Sequence, residues 1–224
     1  MMNVDSAAGD LVAAFAEFDT PTVSDALDRL GIPGQPVGIR PIDPSFSVCG
    51  TAFTVRYVPV DEARTGSVGD FLDDVPPGSV IVIDNGGRLD ATVWGDLMTI
   101  VAHRNGVNGT VVDGVSRDSH RAIELDYPIF ARSTFMRTGK DRVTVGGINE
   151  SIGVAGHRVS PGDIVLGDRD GIVVVPSTRS SEVLAATRAI ADAESGIRAA
   201  LMQGARLRDA RRDFGYHNLQ TKQQ

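Results

Sequence analysis

The tightest constraint on this chain lies between residues 79 and 132, where short apolar runs alternate with helical patterns. SVIVID (79–84) reads as a buried strand introduced by the Pro76-Pro77-Gly78 turn, and GGRLDATV (86–93) reads as a loop. WGDLMTIVAHRNG (94–106) has helical spacing and closes on Gly106, GTVVDG (109–114) is a second strand, RDSHRAIELD (117–126) a helix and PIFAR (128–132) a third strand. A β-α-β-α-β rhythm requires right-handed crossovers, because a right-twisted strand packs its returning helix only that way. The expected class is therefore α/β with a partly parallel sheet.

The flanks add to this frame. Leu11, Val12, Phe15 and Phe18 fall on one side of an N-terminal helix, and TPTVSDALDRLG (20–31) reads as a second helix. Thr20 or Thr22 is its expected cap and Gly31 its end. Residues 31–45 form a Gly- and Pro-rich loop, and SVCGTAFTVRYV (47–58) is a β-branched strand with an expected bulge at Gly50. Residues 143–176 carry turn signals at Gly146-Gly147, Ala155-Gly156, Pro161-Gly162 and Asp170-Gly171, which predicts an antiparallel meander or second sheet. A long helix is expected over about 178–203, with Val183, Leu184, Ile190, Ile197 and Leu201 as its apolar stripe. No linker divides the 224 residues, so one domain is expected, its core at about 12–203 and a polar tail at 205–224.

Charge and cysteine limit the partners. Lys+Arg number 22 against 29 Asp+Glu, a net charge of −7, so the chain has no general attraction for nucleic acid or an anionic membrane. There is no apolar run of the length a membrane span needs. Cys49 is the single cysteine and the N-terminus lacks a basic stretch followed by an apolar one, which points to a cytoplasmic protein.

Two places can carry chemistry. Trp94-Gly95-Asp96-Leu97-Met98 enters a helix whose first N–H groups have no partner within it, and such a start suits a carboxylate or phosphate. Arg117-Asp118 follows a strand where another helix begins, at the sheet edge where α/β proteins bind ligands. Taken alone, Asp96 and Asp118 are acids that complement helix dipoles, and Arg117 is an exposed arginine. Taken together, neighbouring parallel strands bring both helix starts to one edge. Two acids then offer oxygens to a divalent cation, and one arginine with the amides of Leu97 and Met98 offers donors to a small oxo-acid.

Asp96, twenty residues, then Arg117-Asp118 resembles the D-x20-R-D pattern of the 4-hydroxy-4-methyl-2-oxoglutarate aldolases, within the wider regulator-of-ribonuclease-activity-A-like family. TPTVSDALDRLG, PPGSVIVIDNGG (76–87), WGDLMTIVAHRNGVNGTVVDGVSRD (94–118), YPIFAR (127–132) and SPGDIVLGDRDGIVVVP (160–176) share the likeness, which spans about 12–203. The resemblance implies a layered β/β/α fold like the swivelling phosphohistidine domain. It implies Mg²⁺ or Mn²⁺ on Asp118 with water at most other positions, Asp96 contacting that water, and the pyruvyl group held by Arg117 and the amides of Gly95–Met98. It also implies a homotrimer, or a hexamer built of trimers, with Glu194 of a neighbouring subunit completing the outer shell.

The implied activity is cleavage of 4-hydroxy-2-oxo acids to pyruvate through an enolate, with oxaloacetate decarboxylation alongside. The alternative is a non-catalytic regulator that binds a ribonuclease or another protein. No Schiff-base lysine is needed, and Lys140 and Lys222 stand far from the motif in sequence. His103, His120, His157 and His217 lack zinc spacing, and Arg121 stands where many relatives have an acid. Trp94 is expected to pack, and the tail arginines, interleaved with Asp209 and Asp213, to sit on a solvated helix.

Overall fold

The computed structural model describes residues 4–60 and 68–216. In chain order these are α1 (Val4–Phe15), α2 (Thr20–Arg29), β1 (Arg40–Pro41), β2 (Val48–Pro59), β3 (Ser79–Thr92), α3 (Asp96–Arg104), β4 (Gly109–Ser116) and α4 (Ser119–Glu124). Then come β5 (Ile129–Thr134), β6 (Val143–Ile148), β7 (Ile152–Val154), β8 (His157–Val159), β9 (Ile164–Asp168), β10 (Gly171–Val175), α5 (Ser180–Met202) and α6 (Leu207–Asp213). His217, Lys222 and the end of the tail lie outside the described residues.

The expected mixed α/β fold is present. The main sheet runs β1-β5-β4-β3-β2-β9-β10, and β2 through β5 are parallel. Val80, Ile81, Val82 and Ile83 of β3 are fully buried, and every residue of β4 is buried. Such continuous apolar runs are what a parallel strand covered on both faces requires. Ala102 of α3 and Ala122 of α4 pack into the same core. A second core joins Phe15, Val23, Leu27, Val183 and Ile190 of α1, α2 and α5 to Ile164, Leu166, Val173 and Val175. Period-2 alternation in β9 and β10 explains the division, since Val165, Ile172 and Val174 face the larger core.

Several local expectations are corrected. Residues 86–93 are not a loop up to their end: β3 continues to Thr92. Gly86 (φ 62°) and Gly87 (φ 67°) take left-handed backbone, and the strand bows out while β4 advances one residue at a time, Asp84 facing Asp113, Arg88 facing Gly114 and Thr92 facing Val115. Gly50 is not a bulge, because its pairing with β9 is regular. It allows close approach instead, since a Cβ there would lie 2.6 Å from the Gly78 carbonyl. Asp19, not Thr20 or Thr22, caps α2 by accepting from Thr22 N at 2.9 Å. Thr20 is used elsewhere, its hydroxyl donating to Asp168 at 2.7 Å.

Of the antiparallel meander or second sheet expected over 143–176, the antiparallel hairpins β7–β8 and β9–β10 are present, and only β7–β8 forms a separate sheet. β9 pairs with the start of β2, β6 pairs with its end, and both run antiparallel to it. The tail helix is as expected, with Arg212 paired to Asp209 and Asp213 on α6.

One ion pair with a buried carboxylate ties these pieces together. Asp113 of β4 is 4% exposed; its carboxylate accepts from Arg132 Nε of β5 and, at 2.7 Å, from Ala155 N in the β7–β8 turn. Removing one partner of such a pair strands the other, at a cost of about 3 kcal/mol. Asp113→Ala is expected to lose about that much by urea denaturation, and Asp113→Ala/Arg132→Met less than the sum of the single changes.

Candidate active site

The site begins at the end of β3. Thr92 Oγ1 lies 2.8 Å from the Trp94 carbonyl and 2.9 Å from the Val115 carbonyl of β4, and accepts from Trp94 N at 3.2 Å. Trp94 is a packing residue, as expected: it stacks on Tyr127 with centroids 6.3 Å apart and planes 3° from parallel. Its Nε1 donates to Thr99 Oγ1 at 3.0 Å, and that hydroxyl lies 3.0 Å from the Gly95 carbonyl it closes. A buried aromatic with a satisfied N–H fixes the entry into α3.

The two strand ends then meet. Arg117 N donates to the Trp94 carbonyl at 3.1 Å. Asp118 Oδ2 lies 3.3 Å from Asp96 N, at the first turn of α3, and 3.3 Å from Arg117 Nε. Asp96 Oδ1 accepts from Leu97 N at 2.8 Å. Thus Gly95, Asp96, Leu97, Arg117 and Asp118 do converge, with the first amides of α3 turned toward carboxylates. This is the anion preference of a helix N-terminus, met here by the chain's own acids.

Asp118 does not behave as an ordinary capping acid. It occupies the N-cap of α4 without making a side-chain cap bond, and its carboxylate reaches α3 instead. Its backbone is left-handed, φ 56° and ψ 37°. Aspartate tolerates that region better than most residues but still pays about 1 kcal/mol, and such strain gathers at functional sites. Both Arg117 and Asp118 are about one-third exposed, so each is fixed by the protein and open to a ligand.

A cavity of about 370 Å³ opens over this cluster, bounded by Trp94, Gly95–Met98 and Arg117 on one side and by Val68, Thr138 and Lys140 on the other. That is the small end of ligand pockets and suits a small acid. A second depression of about 310 Å³ lies across Arg117, with Asp118 and Thr134–Met136 in its wall. Sequence separation had set Lys140 apart; the fold puts it in the pocket wall. Its rarity was the only signal, since Lys140 and Lys222 are the only lysines in the chain.

The other candidates lie apart. Glu194 pairs with Arg198 at 3.1 Å and lines a groove with Arg211 and Tyr216 against α6, without contact to Arg117 or Asp118 of its own chain. His120 is exposed. Arg121 pairs with Glu124 on its own helix at 2.6 Å rather than with the cluster. No group of three or more His, Cys, Asp or Glu that could hold a metal occurs among the described residues.

The structure thus shows an α/β protein with an arginine, two carboxylates and a helix N-terminus at a parallel sheet edge beside a small cavity. The chain belongs to the RraA-like family, whose model, described as Aldolase/RraA, matches residues 20–174. It is 37% identical over 209 residues to protein DlpA of Legionella pneumophila, covering 92% of this chain but 34% of DlpA. A Halalkalibacterium halodurans protein named as a candidate 4-hydroxy-4-methyl-2-oxoglutarate aldolase is 34% identical over 203 residues, with 86% and 94% of the two chains covered. An uncharacterized protein of Pseudomonas syringae pv. tomato superposes with a TM-score of 0.84 at 40% identity, over 91% of this chain and 97% of that one. Streptomyces coelicolor RraAS2, described as an unusual member of the RNase ES inhibitor RraA family, superposes at 0.78 and 29% identity, over 85% and 96%. No described helix is long and apolar enough to cross a membrane.

Gly95 has an extended backbone, so its role is space: a Cβ would meet Asp118 Oδ2 at 3.0 Å and Arg117 Nε at 3.2 Å. Both neighbours are side-chain ends that can shift. Gly95→Ala is expected to change stability by less than about 1 kcal/mol in urea denaturation, while a crystal structure of the variant shows the Arg117–Asp118 pair displaced.

Proposed function

We propose that this chain is a divalent-metal-dependent lyase that cleaves 4-hydroxy-2-oxo acids, of the 4-hydroxy-4-methyl-2-oxoglutarate type, to pyruvate, with oxaloacetate decarboxylation as a second activity. The observation that carries the reading is the convergence of Asp96, Arg117, Asp118 and the α3 N-terminus on one small cavity. Relatives named as candidate aldolases give it a substrate class.

The residues fit Mg²⁺ or Mn²⁺. Asp118 offers a hard carboxylate whose own helix α4 does not use it as a cap, Asp96 offers a second nearby, and Gly95 leaves the room that a Cβ would fill. One direct carboxylate makes a weak, exchangeable site for an ion that keeps much of its water. When bound, the ion supplies Lewis-acid stabilisation of developing negative charge.

The chain's own groups do the rest. Arg117 holds the 2-oxo acid's carboxylate and stays beside the charge that grows as the C3–C4 bond breaks. The bonding pair passes to C3 to give the pyruvate enolate, and Asp96 directs removal of the 4-hydroxyl proton as the carbonyl product leaves. Loss of CO₂ from oxaloacetate yields the same enolate, so one set of donors serves both. The α3 amides orient the pyruvyl group, displacing the carboxylate contacts now made there.

The second reading is a protein-binding regulator, and exposed apolar side chains beside the site favour it. Leu97 is 73% and Met136 76% exposed. We further propose a cytoplasmic location, on the strength of one cysteine that forms no internal disulfide, and a homotrimer or hexamer in which Glu194 of a neighbouring subunit approaches Arg117 and Asp118.

The deciding assay is pyruvate release from 4-hydroxy-4-methyl-2-oxoglutarate and from oxaloacetate, with EDTA and then with Mg²⁺ or Mn²⁺ restored. Activity is expected to vanish and return. Arg117→Ala is expected to lower kcat/KM by at least about a hundredfold, the scale for one transition-state donor, and Arg117→Lys to remain impaired because it lacks the fork. Full activity without metal, or a loss below about threefold in a folded Arg117→Ala, rejects the mechanism.

Subunit sharing is tested by mixing. Arg117→Ala and Glu194→Ala chains, each nearly inactive alone, are unfolded together in equal amounts and refolded. If sites combine two chains, about a quarter of them regain both groups. Activity no higher than the mean of the parents would remove Glu194 from the site.

A further inference from the structure

The wall of the cavity over Asp96 and Arg117 carries a second cation, one that pairs with no described residue. Lys140 is the one lysine among the described residues. Its backbone is held firmly: its amide donates to Thr138 Oγ1 at 3.2 Å, and its carbonyl accepts from Arg142 Nη1 at 3.2 Å. Thr138 in turn bridges to Thr92, and Gly139 lies so close that a Cβ would come 2.4 Å from the Thr92 carbonyl. The turn carrying Lys140 is therefore pinned to the residue that holds the strand ends beneath Arg117.

Among the described residues, the exposed Lys140 side chain has no hydrogen-bond or ion-pair partner. The Arg142 guanidinium bonds carbonyls of its own turn, Arg137 lies 5.8 Å from the centre of the Phe135 ring, and Arg117 stands beside Asp118. Lys140 forms no ion pair with any described residue. Among the described lining residues, an ammonium on a pinned turn, in a chain of net charge −7, gives the pocket wall two cations, Arg117 and Lys140, against one acid, Asp96. Between them Val68, Trp94 and Met98 make an apolar wall.

We propose that Lys140 is a specificity residue that binds the distal carboxylate of a dicarboxylic 2-oxo acid whose oxo-acid end lies at Arg117. The division suits the two side chains. A planar fork matches the fixed carboxylate beside the oxo group, and a compact charge on a flexible stem follows the other carboxylate through acids of different length. The apolar wall admits a small alkyl substituent on the carbon between them. As a statement about turnover this rests on the lyase reading; as a statement about binding it does not.

Two measurements separate these. The first compares kcat/KM for dicarboxylic 4-hydroxy-4-methyl-2-oxoglutarate and monocarboxylic 4-hydroxy-2-oxopentanoate. In Lys140→Met the dicarboxylic-to-monocarboxylic ratio is expected to fall by about tenfold to a hundredfold, the range for one charge-assisted hydrogen bond, and in Lys140→Arg by less than about fivefold. The second follows acetylation of Lys140 by acetic anhydride, read by mass spectrometry with Mg²⁺ present. The uncleavable dicarboxylate 2-oxoglutarate is expected to protect Lys140, and pyruvate is not.

If no acid releases pyruvate while 2-oxoglutarate still protects, the lyase reading falls and the carboxylate site stands. If pyruvate is released but the ratio is unchanged in Lys140→Met, or both acids protect equally, or neither protects, the proposal is overturned. Borohydride reduction of pyruvate onto Lys140 also overturns it, because that marks a covalent imine in place of an ion pair.

Discussion

Parallel strands deliver their following helices to one edge of a sheet, but not automatically to one point. In this chain the point is set by Thr92. Its buried hydroxyl touches the carbonyls of Trp94 and Val115, one on each of two strand ends, and accepts from Trp94 N. Each such bond contributes about 0.5–1.5 kcal/mol net, so energy is the smaller part of its effect. The larger part is alignment: Thr92 faces Val115, Trp94 O therefore meets Arg117 N, and the first turn of α3 meets the carboxylate of Asp118. The bow at Gly86 and Gly87 serves the same end, taking up the chain length by which β3 exceeds its partner.

Much of this was legible beforehand, and the reasons are particular. The apolar runs of β3 and β4 could only be central parallel strands, and their crossovers forced Asp96 and Arg117-Asp118 onto one edge. What could not be read was anything depending on backbone sign or on contact across long separations. Two glycines after a strand look like a loop, and only the left-handed angles at both show a strand that resumes. The 143–176 hairpins announce their turns but not their partners, and β2 accepts two of them on one edge because its two ends are both unpaired there. Lys140 escaped because it enters the pocket through a bridge to Thr92, 46 residues away by number (138 against 92), which no motif spacing encodes.

The electrostatics of the site follow from its half-exposure. Arg117 and Asp118 are in contact, yet each keeps about a third of its surface in solvent. A surface pair of this kind contributes little to stability, and its cost of rearrangement is correspondingly low. The Asp113–Arg132 pair, whose carboxylate is buried and whose arginine is partly open to solvent, joins β4 to β5 and does the structural work. Rigidity and openness are thus assigned to different ion pairs: one joins β4, β5 and the β7–β8 turn, the other stays partly in solvent beside the cavity.

The left-handed backbone of Asp118 has an evolutionary reading. A position whose conformation disfavours side chains in general is met most easily by glycine or asparagine, and neither brings a carboxylate. Replacement there loses nothing that holds the sheet together, since the carboxylate caps no helix of its own. A carboxylate is therefore kept here against a backbone slope, and its replacement leaves the sheet and the neighbouring arginine in place. The residue that the backbone favours least is thus also the one that the scaffold can exchange with the least disturbance to its strands.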